Sequence, residues 1–236
     1  MPLVHIAGKL VLFAHVPRSG GSAIENYLAR RFGPLAFLDR RYFKAPKFER
    51  WSNTSPQHLE DSAFYRIIPS GWIAHSFAMV RHPEDRITSV FRYQRDLEQS
   101  IPGETTFDAW IAELGDRRKV EPHYLDNHPR PATDLVPANA TVFRLEDGMD
   151  AVVTWLDDIE GTARQPRKVT ADNAYDARLE KAGREPGPPP EVTTEARARI
   201  HDLFAADFER FGYEPRVAKT GSGDASDDTS KQEGQI

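Results

Sequence analysis

The sequence contains no cysteine. Disulfides, thiolate metal sites and a cysteine nucleophile are therefore excluded. It has no unbroken apolar run approaching the roughly 18 residues that a membrane-spanning helix needs. Its start, Met1 to Phe13, carries only Lys9 as a positive charge and lacks the basic leader and small-residue cleavage site of a signal peptide. A cytoplasmic location is expected, with no integral membrane segment. Positive charge is not in excess either: 31 Lys and Arg face 36 Asp and Glu, a net charge of −5. That balance argues against broad nucleic-acid binding, while leaving room for a local basic pocket that takes a small anion. Two phosphate-binding patterns are missing as well. There is no G-x-x-x-x-G-K-[ST], because His15 stands at the first Gly position and Gly21 at the Lys position. There is no G-x-G-x-x-G for a dinucleotide, and no internal repeat.

What is present suits one ordinary globular domain. Hydrophobic residues make up 39% of 236 and aromatics 10%, enough for a sizeable core. Lys9 to Val16 reads as a buried strand, followed by the breaker Pro17-Arg18-Ser19-Gly20-Gly21-Ser22 and a helix over Ala23 to Phe32, stopped by Gly33-Pro34. A short helix is expected over Leu59 to Ile67. Ser76 to Val80 is a second strand, and Pro83 opens a helix running to about Glu98. Helices are expected over Phe107 to Leu114, Asp147 to Leu156 and Thr194 to Phe211, with a third strand at Thr141 to Leu145. Arg184 to Pro190 is a loop. Strands alternating with helices predict an α/β fold of three layers, with a central, mainly parallel sheet flanked by helices. The domain is expected to cover residues 1–216. Residues 217–236, nearly devoid of apolar side chains, are expected to be a disordered tail.

Two strand-to-helix turns carry the candidate chemistry. In His15 to Glu25, paired glycines let the backbone approach a ligand. The unpaired amides and positive dipole of the next helix form an anion cradle, to which Arg18 adds a full charge and Ser19 and Ser22 add hydroxyls. The plainer alternative is that Ser22 and Glu25 form a helix-capping box. In the second turn, Arg81 falls at the carboxyl end of a strand, where open α/β sheets bind ligands. Ser89 lies in the following helix, leaning back toward Arg81 and sharing a face with Arg86. An arginine fork with a hydroxyl suits a phosphate monoester, although Arg81 and Arg86 could instead pair with acids such as Glu84 and Asp85. Both turns would lie on one sheet edge, which suggests a ligand with phosphate-like groups at both ends.

His-Val-Pro-Arg-Ser-Gly-Gly-Ser22 resembles the 5′-phosphosulfate loop of sulfotransferases that use 3′-phosphoadenosine 5′-phosphosulfate (PAPS), and V-R-H-P-x-x-R-x-x-S at 80–89 resembles their 3′-phosphate motif. The likeness spans roughly residues 9–214 and is nearest the branch with the heparan sulfate 2-O-sulfotransferases and small bacterial relatives. Ser-Pro-Gln-His-Leu59, Asp-Asn-His-Pro-Arg-Pro131, Phe-Arg-Leu-Glu-Asp147 and Asp-Phe-Glu-Arg-Phe-Gly-Tyr213 also look like that branch. The chain departs from the pattern at Arg18, where the family usually has Lys, and at Ala132, where relatives often have Gln.

The resemblance implies a P-loop-like fold and a PAPS-dependent transfer of a sulfuryl group to an acceptor hydroxyl or amine. It assigns the donor to Arg18, Ser19, Gly20, Gly21, Ser22, Arg81 and Ser89. The resemblance also implies that Arg18 stabilises the leaving phosphate. No metal is expected; His123 and His128, five apart in an irregular stretch, make no metal signature. The branch places its catalytic histidine near His58, which is therefore the expected general base; His75 and Glu60 are the alternatives. His82 is expected to be structural. Arg167 and Lys168 read as an exposed basic loop that could close over the nucleotide, and Trp51, Trp72 and Tyr42 as stacking candidates. The acceptor is expected to be a small molecule, lipid or carbohydrate rather than nucleic acid. A P-loop-type kinase and a non-catalytic nucleotide-binding protein of the same fold are the competing readings.

Overall fold

The computed structural model describes residues 1–163, 166, 168–170 and 175–216. The expected tail at 217–236 and Arg167 lie outside the described residues. Four strands form one sheet in the order β1-β2-β3-β4: β1 (Leu3–Ile6), β2 (Lys9–Ala14), β3 (Ile73–Val80) and β4 (Thr141–Arg144). β2–β3 and β3–β4 are parallel; β1–β2 is an antiparallel hairpin. The hairpin turn is Ala7-Gly8, with φ of 45° and 81°. Positive φ at both positions matches the right-handed twist of the strands.

Alternation along β2 builds a layer on each side. Val11 and Phe13 join Phe77 and Met79 against α1 (Gly21–Phe32) and α5 (Asp150–Glu160). Leu12 and Ala14 face the other way, toward α3 (Pro83–Arg92), α4 (Phe107–Val120), α7 (Thr194–Leu203) and α8 (Ala205–Phe211). Two short helices complete the order, α2 (Asp61–Tyr65) and α6 (Tyr175–Ala182). The expected three-layer α/β architecture is present, with two of its three strand pairings parallel.

Several boundaries differ from the sequence pattern, each for a local reason. The last helical stretch is broken at Phe204, whose φ of −123° and ψ of 22° leave the helical region; both halves still bury their apolar stripes. The helix after Pro83 changes character at Tyr93, where five residues, Tyr93–Leu97, form a π-helical turn. Such turns arise where a side chain must be re-aimed, often at functional sites. α4 runs on to Val120 because its last turn is rich in Arg and Lys, which suit the negative end of a helix. α6 carries too little apolar patterning to be read from sequence, with Leu179 its only buried residue.

Candidate active site

β2 and β3 run side by side and in parallel, with Ala14 opposite Ala78. The chain therefore leaves both strands on the same sheet edge, and the two turns lie next to each other. In the first, Arg18 takes a φ of 67° and Gly20 one of 81°. Gly20 is the N-cap of α1, with no side-chain cap. The capping-box alternative thus fails: Ser22 sits inside the first helical turn, and Glu25 turns away to bond His15 (Nδ1 to Oε1, 2.5 Å). Gly21 is held to glycine by that same histidine. A Cβ there would lie 2.0 Å from His15 Nε2.

Ser19 is fully buried, and its Oγ has no hydrogen-bond partner among the described residues. An orphaned buried hydroxyl costs on the order of 1–3 kcal/mol, so one beside glycine turns and a helix N-terminus is suited to receive an anion's oxygen. Arg18 Nε donates to Ser89 Oγ at 3.1 Å, which joins the two turns directly. Ser89 thus meets Arg18. Burial lowers the Arg18 guanidinium to about 10, with Arg178 and Arg81 adding repulsion. It remains a cation at neutral pH and has no ion-pair partner among the described residues. Arg81 is half-buried just past β3 and has no ion-pair partner among the described residues.

Arg86 has a different task from the phosphate role its spacing suggests. It is 1% exposed, and its guanidinium donates to the carbonyls of His128 (3.1 Å) and Arg130 (2.8 Å). Asp207 in α8 accepts from the amides of Ala132 and Thr133, both at 2.8 Å. Together they clamp the loop 126–133 against the helical layer. Immediately before the clamp, Leu125, Asp126 and Asn127 all have left-handed backbone, with φ of 51°, 56° and 60°. Each costs on the order of 1 kcal/mol for a residue with a side chain. Strain of this kind concentrates where a side chain must be aimed.

Here it aims Asp126 at His58. Asp126 Oδ2 accepts from His58 Nδ1 at 2.6 Å and from Ser55 Oγ at 2.6 Å, and Oδ1 accepts from the Ser55 amide at 2.7 Å. Burial would push this carboxyl up, but the His58 imidazole and the bonds it receives hold it at about 2. With Nδ1 so engaged, His58 keeps Nε2 as its free nitrogen. Its ring meets those of His15 and His128 edge to face, at 4.8 and 5.0 Å between centroids. Burial pushes His128 well below its ordinary value, and His58 pushes it the same way. It is therefore a neutral imidazole, with Gln94 of the π-turn 2.6 Å from Nδ1. His15 is likewise lowered by burial.

His15, Arg18, Ser22, His58, Tyr93 and His128 line one cleft of about 360 Å³, whose lining does not include Ser19, Gly20, Gly21, Arg81 or Ser89. Two further cations reach it, Arg40 and Arg178. The guanidinium groups of Arg18 and Arg178 lie 4.5 and 4.9 Å from the Tyr93 ring centroid. The remaining sequence candidates lie elsewhere. His75 sits at the amino end of β3 against Trp155 and lines a separate small cavity. Glu60 is taken by Arg130 at 2.9 Å. His82 caps α3 through Nδ1 and bonds the Glu214 carbonyl through Nε2, the structural role expected of it. Trp51 and Trp72 are exposed and Tyr42 is buried, none of them in the cleft. Lys168 is exposed. His58, Asp126 and His128 each offer a metal-ligand atom within 4.8 Å of the others, a group that spacing along the chain does not reveal.

The two outlying motifs brace the second turn. Arg144 donates to the carbonyls of Phe211 and Gly212. Glu146 accepts from the Tyr213 hydroxyl (2.9 Å) and from the His82 amide (2.7 Å). The β4 exit and the C-terminal helix thus fix the residue next to Arg81. The model of the family described as "Sulfotransferase family" matches residues 8–214, a span that takes in both turns, the clamped loop and these braces. The chain belongs to the sulfotransferase family. No curated protein and no solved structure matches it significantly. Asp126, Gln94 and Arg178 were not singled out from the sequence of this sulfotransferase-family chain. Asp126 lay in a motif already noted, but its role depends on a partner 68 residues away.

Proposed function

We propose that the protein is a PAPS-dependent sulfotransferase acting on an acceptor hydroxyl, with His58 as general base. The observation that carries the reading is that Arg18, which joins the first anion-suited turn to the second by donating to Ser89, lines the same cleft as a carboxylate-oriented histidine. PAPS would supply an activated sulfuryl group there and leave as adenosine 3′,5′-bisphosphate.

Arg18, Ser19 and the first-turn amides of α1 would hold the 5′ end, where negative charge grows during transfer and fixed donors stabilise it most. Arg81 and Ser89 would hold the 3′-phosphate, which distinguishes this nucleotide from ATP. His58 Nε2 would accept the acceptor's proton while Asp126 keeps the Nδ1 proton in place and stabilises the imidazolium that forms. The rest is alignment, as in phosphoryl transfer. A kinase reading loses support at Gly21: the position of the Walker lysine has no room for any side chain.

The test combines binding and turnover. Adenosine 3′,5′-bisphosphate and PAPS should raise the melting temperature more than ATP does. Labelled sulfate from PAPS should appear on a component of a small-molecule, lipid or carbohydrate extract, identified by mass. Stabilisation by ATP alone would refute the donor assignment.

A further inference from the structure

Between β1–α1 and the His58 turn, the chain makes an exposed knob at residues 40–51. Two 3-10 turns, Tyr42–Lys44 and Lys47–Glu49, form it. Arg50 holds them together by donating to the carbonyls of Ala45 (3.0 Å) and Phe43 (3.0 Å), with its guanidinium 5.1 Å from the Phe43 ring centroid. Three aromatic side chains stand in water on this knob: Phe43 is 54% exposed, Phe48 87% and Trp51 57%. The same twelve residues hold five cations, Arg40, Arg41, Lys44, Lys47 and Arg50, against the single acid Glu49, in a chain whose net charge is −5. Arg41, Lys44 and Lys47 are exposed and have no ion-pair partner among the described residues. Arg40 reaches the candidate cleft, so the knob adjoins its mouth.

We infer that this knob docks the protein on an anionic lipid bilayer. Keeping three large aromatic rings in water is unfavourable, and a soluble polyanion would engage the cations while leaving the rings wet. An anionic membrane surface satisfies both: aromatic side chains settle at the headgroup level, and lysine and arginine are drawn by the negative surface potential. A cluster of five cations within twelve residues of an acidic chain also orients it, so that the cleft mouth is presented along the membrane. The knob is fixed by Arg50 before it docks, so little ordering is required on binding.

The test uses the full chain with vesicles of phosphatidylcholine, with and without phosphatidylserine. Co-sedimentation is expected with the mixed vesicles at low salt and not with phosphatidylcholine alone. Acyl chains brominated near the headgroup should quench a fluorescence component that Trp51→Phe removes. Phe48→Ser, and separately Lys44→Glu with Lys47→Glu, should each weaken partitioning by on the order of tenfold or more. Phe48 touches nothing in the cleft, so bisphosphate affinity should be unchanged in Phe48→Ser, which also reports that the variant is folded. Absence of binding to the mixed vesicles overturns the inference. So does vesicle binding indifferent to Phe48→Ser, or binding to heparin or RNA as tight as to vesicles, which would assign the surface to a soluble polyanion.

Discussion

His58 and Asp126 meet at 2.6 Å across 68 residues of sequence, Nδ1 to Oδ2. The contact fixes which imidazole nitrogen is free. It exists because three consecutive residues adopt left-handed backbone and because Arg86 and Asp207 clamp the loop that follows.

Removing the imidazole should therefore affect transfer and spare donor binding. His58→Ala is expected to slow transfer by on the order of 10²–10⁴. Asp126→Asn loses the charge and the fixed tautomer, and is expected to cost on the order of 10². Both should bind adenosine 3′,5′-bisphosphate as the parent does by calorimetry. Near-parental single-turnover rates in His58→Ala would end its role as base.

The two arginines should separate by ligand. Arg81→Ala is expected to weaken adenosine 3′,5′-bisphosphate by roughly 1.5–3 kcal/mol while leaving 5′-AMP nearly unaffected, the value of a charge-assisted contact to the 3′-phosphate. Arg18→Ala should weaken both, because they share the 5′-phosphate. Equal losses for both ligands in Arg81→Ala would contradict the assignment.

Gly21→Ala should be destabilising, because its Cβ would lie 2.0 Å from His15 Nε2. Overpacking of this kind costs roughly 1–3 kcal/mol. The cost should shrink in His15→Ala with Gly21→Ala, where the clashing ring is gone. A denaturation cycle over the four proteins measures the coupling. Additive effects would show that the clash is not the cause.

Acid should act first on the groups that burial holds neutral, His128 with His15 and the Met1 amine, and then on Asp126. His128 is held neutral by burial, with its folded value below the ordinary 6.5. The unfolded chain therefore binds a proton that the folded chain does not, and stability falls as pH drops below about 6.5, by up to about 1.4 kcal/mol per pH unit for that proton. Asp126 follows. Its folded value of about 2 against the usual 3.8 gives stability that is present above about pH 4 and lost as pH falls toward 2. Urea melts of the parent and His128→Gln at about pH 7, 5.5 and 4 should show a shallower early loss in the variant. Parallel curves would place the acid sensitivity elsewhere.

Both parallel β-α turns were legible in the sequence, because a short apolar run, a breaker and a helix stripe are local signals. β1 was not, since its Ala7-Gly8 turn lacks the Asn-Gly or Asp-Gly that usually marks a two-residue hairpin. Nor was α6, which presents Leu179 alone to the core. Arg86 illustrates the limit of spacing. Its place three residues from Ser89 put both on one helical stripe, yet the stripe is wide enough for one end to meet Arg18 and the other the helical layer.

The sequence by itself determined the strand-turn-helix order, the two glycine- and arginine-bearing turns and the histidine between them, because each rests on chemistry within about ten residues. Tertiary structure alone decided what those groups do together. It set Ser89 against Arg18, gave Glu25 to His15 rather than to the helix cap, and delivered Asp126 to His58. These partners are chosen by backbone strain and by clamps from helices far along the chain, and the free energy of such long-range contacts leaves no local pattern of residues to read.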